Sequence, residues 1–201
     1  MKKAIAFLFF ILLIQLAFAQ SLTKEERKEA LEFIDWTTKE LKKSLKGLST
    51  AQLNFHPAED AWSPLECLYH IAYSEKALRA SLDVALQAPA DSTTKARLTT
   101  TDLQIKNNIM DRSSKFKTAT PFEPLNTGFR SFDEAWAVFE EKREALVALI
   151  KNTDLDFRNH IVNLAFGKMD AYQFVIFIAG HSNRHTQQIE EAKGIAGYPK
   201  K

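Results

Sequence analysis

Cysteine is nearly absent from this 201-residue chain, which has one, Cys67. A lone thiol can neither close an intramolecular disulfide nor build a cysteine-rich zinc site. Glycine and proline are also scarce, at six each, which excludes collagen-like, linker-dominated and turn-rich all-β architectures. Neither sign of charge is in excess. The 27 Lys and Arg against 25 Asp and Glu leave +2, too little for the basic stripe that nucleic-acid binding needs. What is present is ordinary globular usage, 45% hydrophobic and 26% charged, enough at this length for one domain around one core.

A long apolar run occurs once, near the N-terminus. Lys2 and Lys3 precede an apolar stretch over residues 4–16, broken only by Gln15, and Ala17-Phe18-Ala19 puts small residues where a signal peptidase reads. The stretch falls short of the roughly 18–20 residues a spanning helix needs, and no cysteine follows it to mark a lipoprotein. The pattern predicts a signal peptide over 1–19, cleavage before Gln20, and an exported protein, periplasmic or secreted, whose single domain is 20–201. Lys2 and Lys3 carry the whole +2, so the domain itself is neutral. No nucleic-acid partner is expected, and no membrane partner once the signal is removed.

Helical periodicity dominates the remainder. Leu31, Ile34, Leu41 and Leu45 form a stripe that predicts a first helix ending near residue 47. Ser63-Pro64-Leu65-Glu66 opens a second, with Ser63 as cap, Pro64 at the first helical position and Glu66 bonding back to the cap N–H. Leu65, Leu68, Ala72 and Leu82 are its buried side, and Pro89 ends it at about Gln87. Ser131 opens a third, with Phe132, Trp136, Phe139, Leu146, Leu149 and Ile150 inward and Glu140, Glu141, Lys142 and Arg143 outward. The fourth begins near Met169 and runs to Lys193, with Gly194 as C-cap. Residues 159–164 alternate as a strand does, but one short run makes no sheet. Residues 88–130, rich in Ser, Thr, Lys and Asn, form a long connection with a short helix over 101–112 capped by Asp102. A connection of that length suits a bundle with one non-adjacent link better than a series of up-down hairpins. The expected fold is an all-α four-helix bundle with a long connection between its second and third helices.

Five histidines are present. His181 and His185 lie four residues apart on the fourth helix, so both imidazoles leave one face about a turn apart. That spacing suits two nitrogens on one divalent metal, with Zn–N near ~2.1 Å, and it suits equally an ordinary solvated or core-edge pair. Phe174 and Ile178 extend the same face, and burial of two neutral imidazoles without partners would be costly, which a metal relieves. His70 lies two turns into the second helix beside Leu68 and Ala72, and bundles often build metal sites from facing helices. His56 and His160 read as surface or hydrogen-bonded, Cys67 as a buried small hydrophobe, and Trp62, Trp136 and Phe139 as core. Arg184 and Glu190 read as solvated or salt-bridged, whereas Asn183 and Gln188 are placed to contact substrate or water at a metal.

Trp62-Ser63-Pro64-x-Glu66-x-x-x-His70, followed downstream by His181-x-x-Arg184-His185-x-x-Gln188-Ile189, resembles the DinB-like superfamily over essentially the whole mature chain. That resemblance implies a four-helix bundle holding a divalent metal on three histidines, here His70, His181 and His185. It also implies kinship with thiol-dependent S-transferases and isomerases. Three neutral ligands leave a coordination position open, as in catalytic sites, and imidazole suits zinc or nickel first and iron or manganese as well. The expectation is a metal-dependent enzyme, a hydrolase or a thiol or group transferase, acting on a small molecule that the sequence does not identify. The alternative is a non-catalytic metal- or small-molecule-binding bundle. No acid or base is spaced near the ligands to assign as catalytic. Homodimerisation through the bundle surface is left open, with no second apolar face to support it.

Overall fold

Side-chain caps set where the helices begin. The computed structural model of the chain describes residues 21–165 and 167–200, and the predicted signal peptide, 1–19, lies outside them. Helix α1 (Lys24–Leu45) starts behind Thr23, whose hydroxyl accepts from the Glu26 N–H while the Glu26 carboxylate accepts from the Thr23 N–H. A short α2 (Thr50–Leu53) repeats this box with Ser49 and Gln52, and α3 (Pro64–Gln87) with Ser63 and Glu66, as the sequence predicts. Each box satisfies two otherwise orphan N–H groups. A single turn, α4 (Ser92–Lys95), and then α5 (Asp102–Met110) follow, the latter capped by Thr101, with Asp102 as its first residue rather than its cap. Ser131 caps α6 (Phe132–Asn152), and Asp170 with Gln173 boxes α7 (Ala171–Lys193), two residues beyond the predicted start.

The alternating run does find a partner. Strand β1 (Ile161–Leu164) pairs antiparallel with β2 (Gly167–Asp170), Ile161 opposite Asp170 and Leu164 opposite Gly167. The second strand carries little strand signal in its Gly-Lys-Met-Asp sequence, so periodicity missed it. Two strands persist here because Val162 and Met169 are buried in the bundle core.

The four long helices form a ring in the order α1, α7, α3, α6, with α1 opposite α3 and α6 opposite α7. Helices α1 and α7 run parallel. The Tyr172 hydroxyl donates to the Glu26 carbonyl near one end, and the Lys193 ammonium donates to the Ser44 carbonyl near the other. Helices α3 and α6 run together in the opposite sense. Cys67 and Leu68 share an apolar cluster with Ala135 and Phe139, whereas Leu82 and Ala85 share another with Leu146 and Ile150. The long connection therefore joins neighbouring helices that point the same way, so it must return the full length of a helix, about 36 Å for 24 residues. The diagonal, non-adjacent steps are the short ones, α1 to α3 and α6 to α7. On its way back the crossover lays α5 along α7 and its 3₁₀ turns, Thr120–Phe122 and Pro124–Asn126, against α3. No helix among the described residues is long and apolar enough to cross a membrane.

Between the two apolar clusters lies a polar layer. Arg143 points inward, at 3% exposure, contrary to its expected outward position. Its Nε donates to Glu75 Oε1 at 2.9 Å, Nη1 donates to the Thr37 hydroxyl at 3.0 Å, and Nη2 reaches Glu75 and the Ser182 hydroxyl. One guanidinium thus touches α1, α3 and α7 from α6. Arg143 stands on the stripe of Phe139, Leu146 and Ile150, and it is buried because every neighbouring helix offers it an acceptor.

Candidate metal centre

His70 comes from the second turn of α3, and His181 and His185 from successive turns of α7, two helices packed side by side. One ligand nitrogen from each lies within 4.8 Å of the other two. His70 Nε2 is 3.3 Å from His181 Nε2. His70 and His185 are buried and His181 is partly exposed, so the cluster meets solvent on the His181 side.

Burial is the largest influence on all three rings and lowers each below the ordinary pKa of 6.5. The neighbouring imidazoles push the same way for His181 and His185, which fall well below it. All three are neutral at pH 7, the state that has a lone pair to give. The 3.3 Å between His70 Nε2 and His181 Nε2 is short enough for both nitrogens to face one divalent ion. The residues therefore fit a divalent metal with imidazole ligands.

Partners outside the triad fix its rings. His70 Nδ1 donates to the Phe122 carbonyl at 2.7 Å, leaving Nε2 unprotonated. His185 Nδ1 faces Gln188 Oε1 at 3.1 Å, and His181 stacks on Phe177. The Ser74 hydroxyl, one turn beyond His70, lies 3.5 Å from His70 Nε2, a polar group beside the cluster that spacing did not single out. Trp62 is not core packing alone, because its ring stands 4.9 Å from that of His70 and 5.7 Å from that of His185.

The other candidates fall elsewhere. Glu66 caps α3 through the Ser63 N–H. Cys67 is buried among apolar side chains, where burial pushes its thiol up, and it stands outside the cluster. His56 bonds the Ala61 carbonyl and His160 the Ala85 carbonyl. Asn183 accepts from the Gln187 carboxamide, and Glu190 pairs with Lys193, as expected of an off-stripe residue. Arg184 departs from expectation. It is buried and donates to the backbone carbonyls of Asp111 and Ser114, pinning the crossover to α7. Among the described residues no carboxylate belongs to the cluster, and two surface grooves, of about 490 Å³ along α1, α5 and α7 and about 590 Å³ between α1 and α6, are lined by no histidine.

Comparison with known proteins gives a consistent picture. The sequence profile of the DinB superfamily matches residues 34–189. YuaE of Bacillus subtilis (strain 168), an uncharacterized protein, is 28% identical over 151 residues, 74% of this chain and 88% of YuaE. Among solved structures, YfiT from Bacillus subtilis, described as a probable metal-dependent hydrolase with an unusual four-helix bundle topology, aligns at a TM-score of 0.56. The two are 17% identical, with 88% of this chain and 93% of YfiT covered, a likeness of fold.

Proposed function

The chain belongs to the DinB superfamily, and we propose that it is an exported, metal-dependent enzyme of the hydrolase or group-transferase class, with His70, His181 and His185 as ligands. The observation that carries this reading is the convergence of three neutral imidazole nitrogens within 4.8 Å, with no anionic donor among them. A divalent ion on such ligands supplies Lewis acidity at a coordination position left open to a small molecule. The chain's own residues then have definite tasks. The Phe122 carbonyl holds the proton of His70 on Nδ1. Trp62 covers the His70 and His185 rings and keeps bulk water from that side, while the partly exposed His181 leaves a way in. The Ser74 hydroxyl is placed to donate to or accept from a bound substrate beside His70. Export through a signal peptide over 1–19 favours hydrolysis over thiol transfer, because water needs no co-substrate supplied in the new compartment.

Elemental analysis of the purified protein is expected to find about one divalent metal per chain, zinc or nickel first, and His181→Ala to lose it. Ester, amide and thiol-conjugation screens on the same pair should show an activity that disappears with the metal. The intact mass of the secreted product should begin at Gln20. Stoichiometric metal in His181→Ala, or none in wild type, would overturn the ligand assignment. A second reading, non-catalytic binding, draws on the two grooves that lie away from the histidines. Metal without turnover in every screen would favour it.

A further inference from the structure

The crossover reaches His70 through the Phe122 carbonyl and His185 through an arginine. Gln188 Oε1 lies 3.1 Å from His185 Nδ1 and 3.4 Å from Arg112 Nη1. A guanidinium carries only N–H groups, so the carboxamide atom facing it must be the carbonyl oxygen and not the NH₂. That oxygen can only accept, so the ring nitrogen facing it must be Nδ1–H. The lone pair of His185 is then left on Nε2. Arg112 is itself held by the Glu191 carboxylate, from Nε at 2.8 Å and Nη2 at 2.6 Å. Glu191 and Gln188 lie on α7, whereas Arg112 follows α5 in the crossover.

We propose that Arg112 is a positioning residue of the metal centre. By preventing the Gln188 carboxamide from turning over, it fixes His185 in the Nδ1–H tautomer that leaves Nε2 free for the ion. Its purpose rests on the metal reading above, but the tautomer does not. Without Arg112 the carboxamide can present its NH₂ to the ring, which stabilises the opposite tautomer and places a proton on Nε2. A plain surface pair between Arg112 and Glu191 would leave the tautomer alone.

Nitrogen NMR of the imidazoles in metal-free protein decides the matter, with zinc affinity by chelator competition as a second readout. Wild type is expected to hold His185 as Nδ1–H. Arg112→Ala should give a tautomer mixture and a several-fold loss of zinc affinity, and Gln188→Leu a loss on the order of tenfold or more. The double variant should bind no more weakly than Gln188→Leu alone, because Arg112 acts through Gln188. A carboxylate can only accept, so Gln188→Glu in the Arg112→Ala background should restore the Nδ1–H tautomer, a rescue that a merely structural role does not predict. A wild-type tautomer in Arg112→Ala, losses that multiply in the double variant, or no rescue would each overturn the proposal. If wild type holds no metal, the metal reading falls, and the tautomer measurement still decides the role of Arg112.

Discussion

His70, His181 and His185 are neutral in the folded chain because burial, the largest cause, holds each below the ordinary 6.5, at which they titrate when unfolded. Below about pH 6.5 the unfolded chain therefore takes up protons that the folded cluster refuses. Stability contributed by the neutral rings is present above that pH and is lost as pH falls. Urea midpoints are expected to drop from pH 7.5 to pH 5.5, and to drop less in His185→Phe, which has one imidazole fewer to protonate on unfolding. A midpoint that holds or rises on acidification of wild type would contradict this account. The triad itself was legible from i,i+4 spacing and from the Trp62–His70 motif. Most of its supports were not. The Phe122 carbonyl is a backbone atom that any residue type could supply, and Arg112 reaches the cluster only through the fold, whereas Ser74 stands at i+4 from His70 and needed only the helix.

Among the elements, the contact between α5 and α7 turns on one glycine. A Cβ added at Gly180 would meet Ile109 Cγ2 at 2.4 Å and Met110 Cγ at 3.6 Å. Alanine normally stabilises a helix interior over glycine by roughly 0.5–1 kcal/mol. Here the β-branched Ile109 cannot easily turn away, so Gly180→Ala should instead destabilise by ~1–3 kcal/mol. Hydrogen exchange should quicken in α5 rather than in α3 or α6, and a gain in stability with unchanged exchange would refute the clash. Helix boundaries were legible where the caps announce them, Ser63 and Ser131 at the starts of α3 and α6 and Gly194 at the end of α7. The course of the crossover was not, because its direction follows from α3 and α6 being parallel, a relation between elements that periodicity does not encode. Arg143 shows the converse case. Its i,i+4 and i,i+3 spacing from Phe139 and Leu146 pointed inward, and its charge alone argued for the outside.

Across the whole molecule, Arg143 and Glu75 bind the four long helices at one level, both at 3% exposure. Burial pushes the Glu75 carboxyl above its ordinary 4.5 while Arg143 draws it back down. Removing one partner leaves a buried charge without compensation, so Arg143→Met should cost about 3–5 kcal/mol in chemical denaturation. Combined with Glu75→Leu, much of that loss should return, since the second change removes the orphaned carboxylate. A double variant as unstable as the sum of the singles would show that the pair does not act as a unit.

The separation of the histidines along the chain governs when the site can exist. His181 and His185 are one turn apart on a single helix and can meet an ion as soon as that helix forms. His70 stands 111 residues from His181 and joins only when the chain has closed that loop. With the ligands proposed above, an incompletely folded chain would offer a two-nitrogen clasp, and the finished fold a stronger three-nitrogen one. Metal in the surrounding medium consequently draws the chain toward completion, by RT ln(1 + [L]/Kd) for the difference between the two states. On that proposed ligand set, the ion would serve as a check on finished topology.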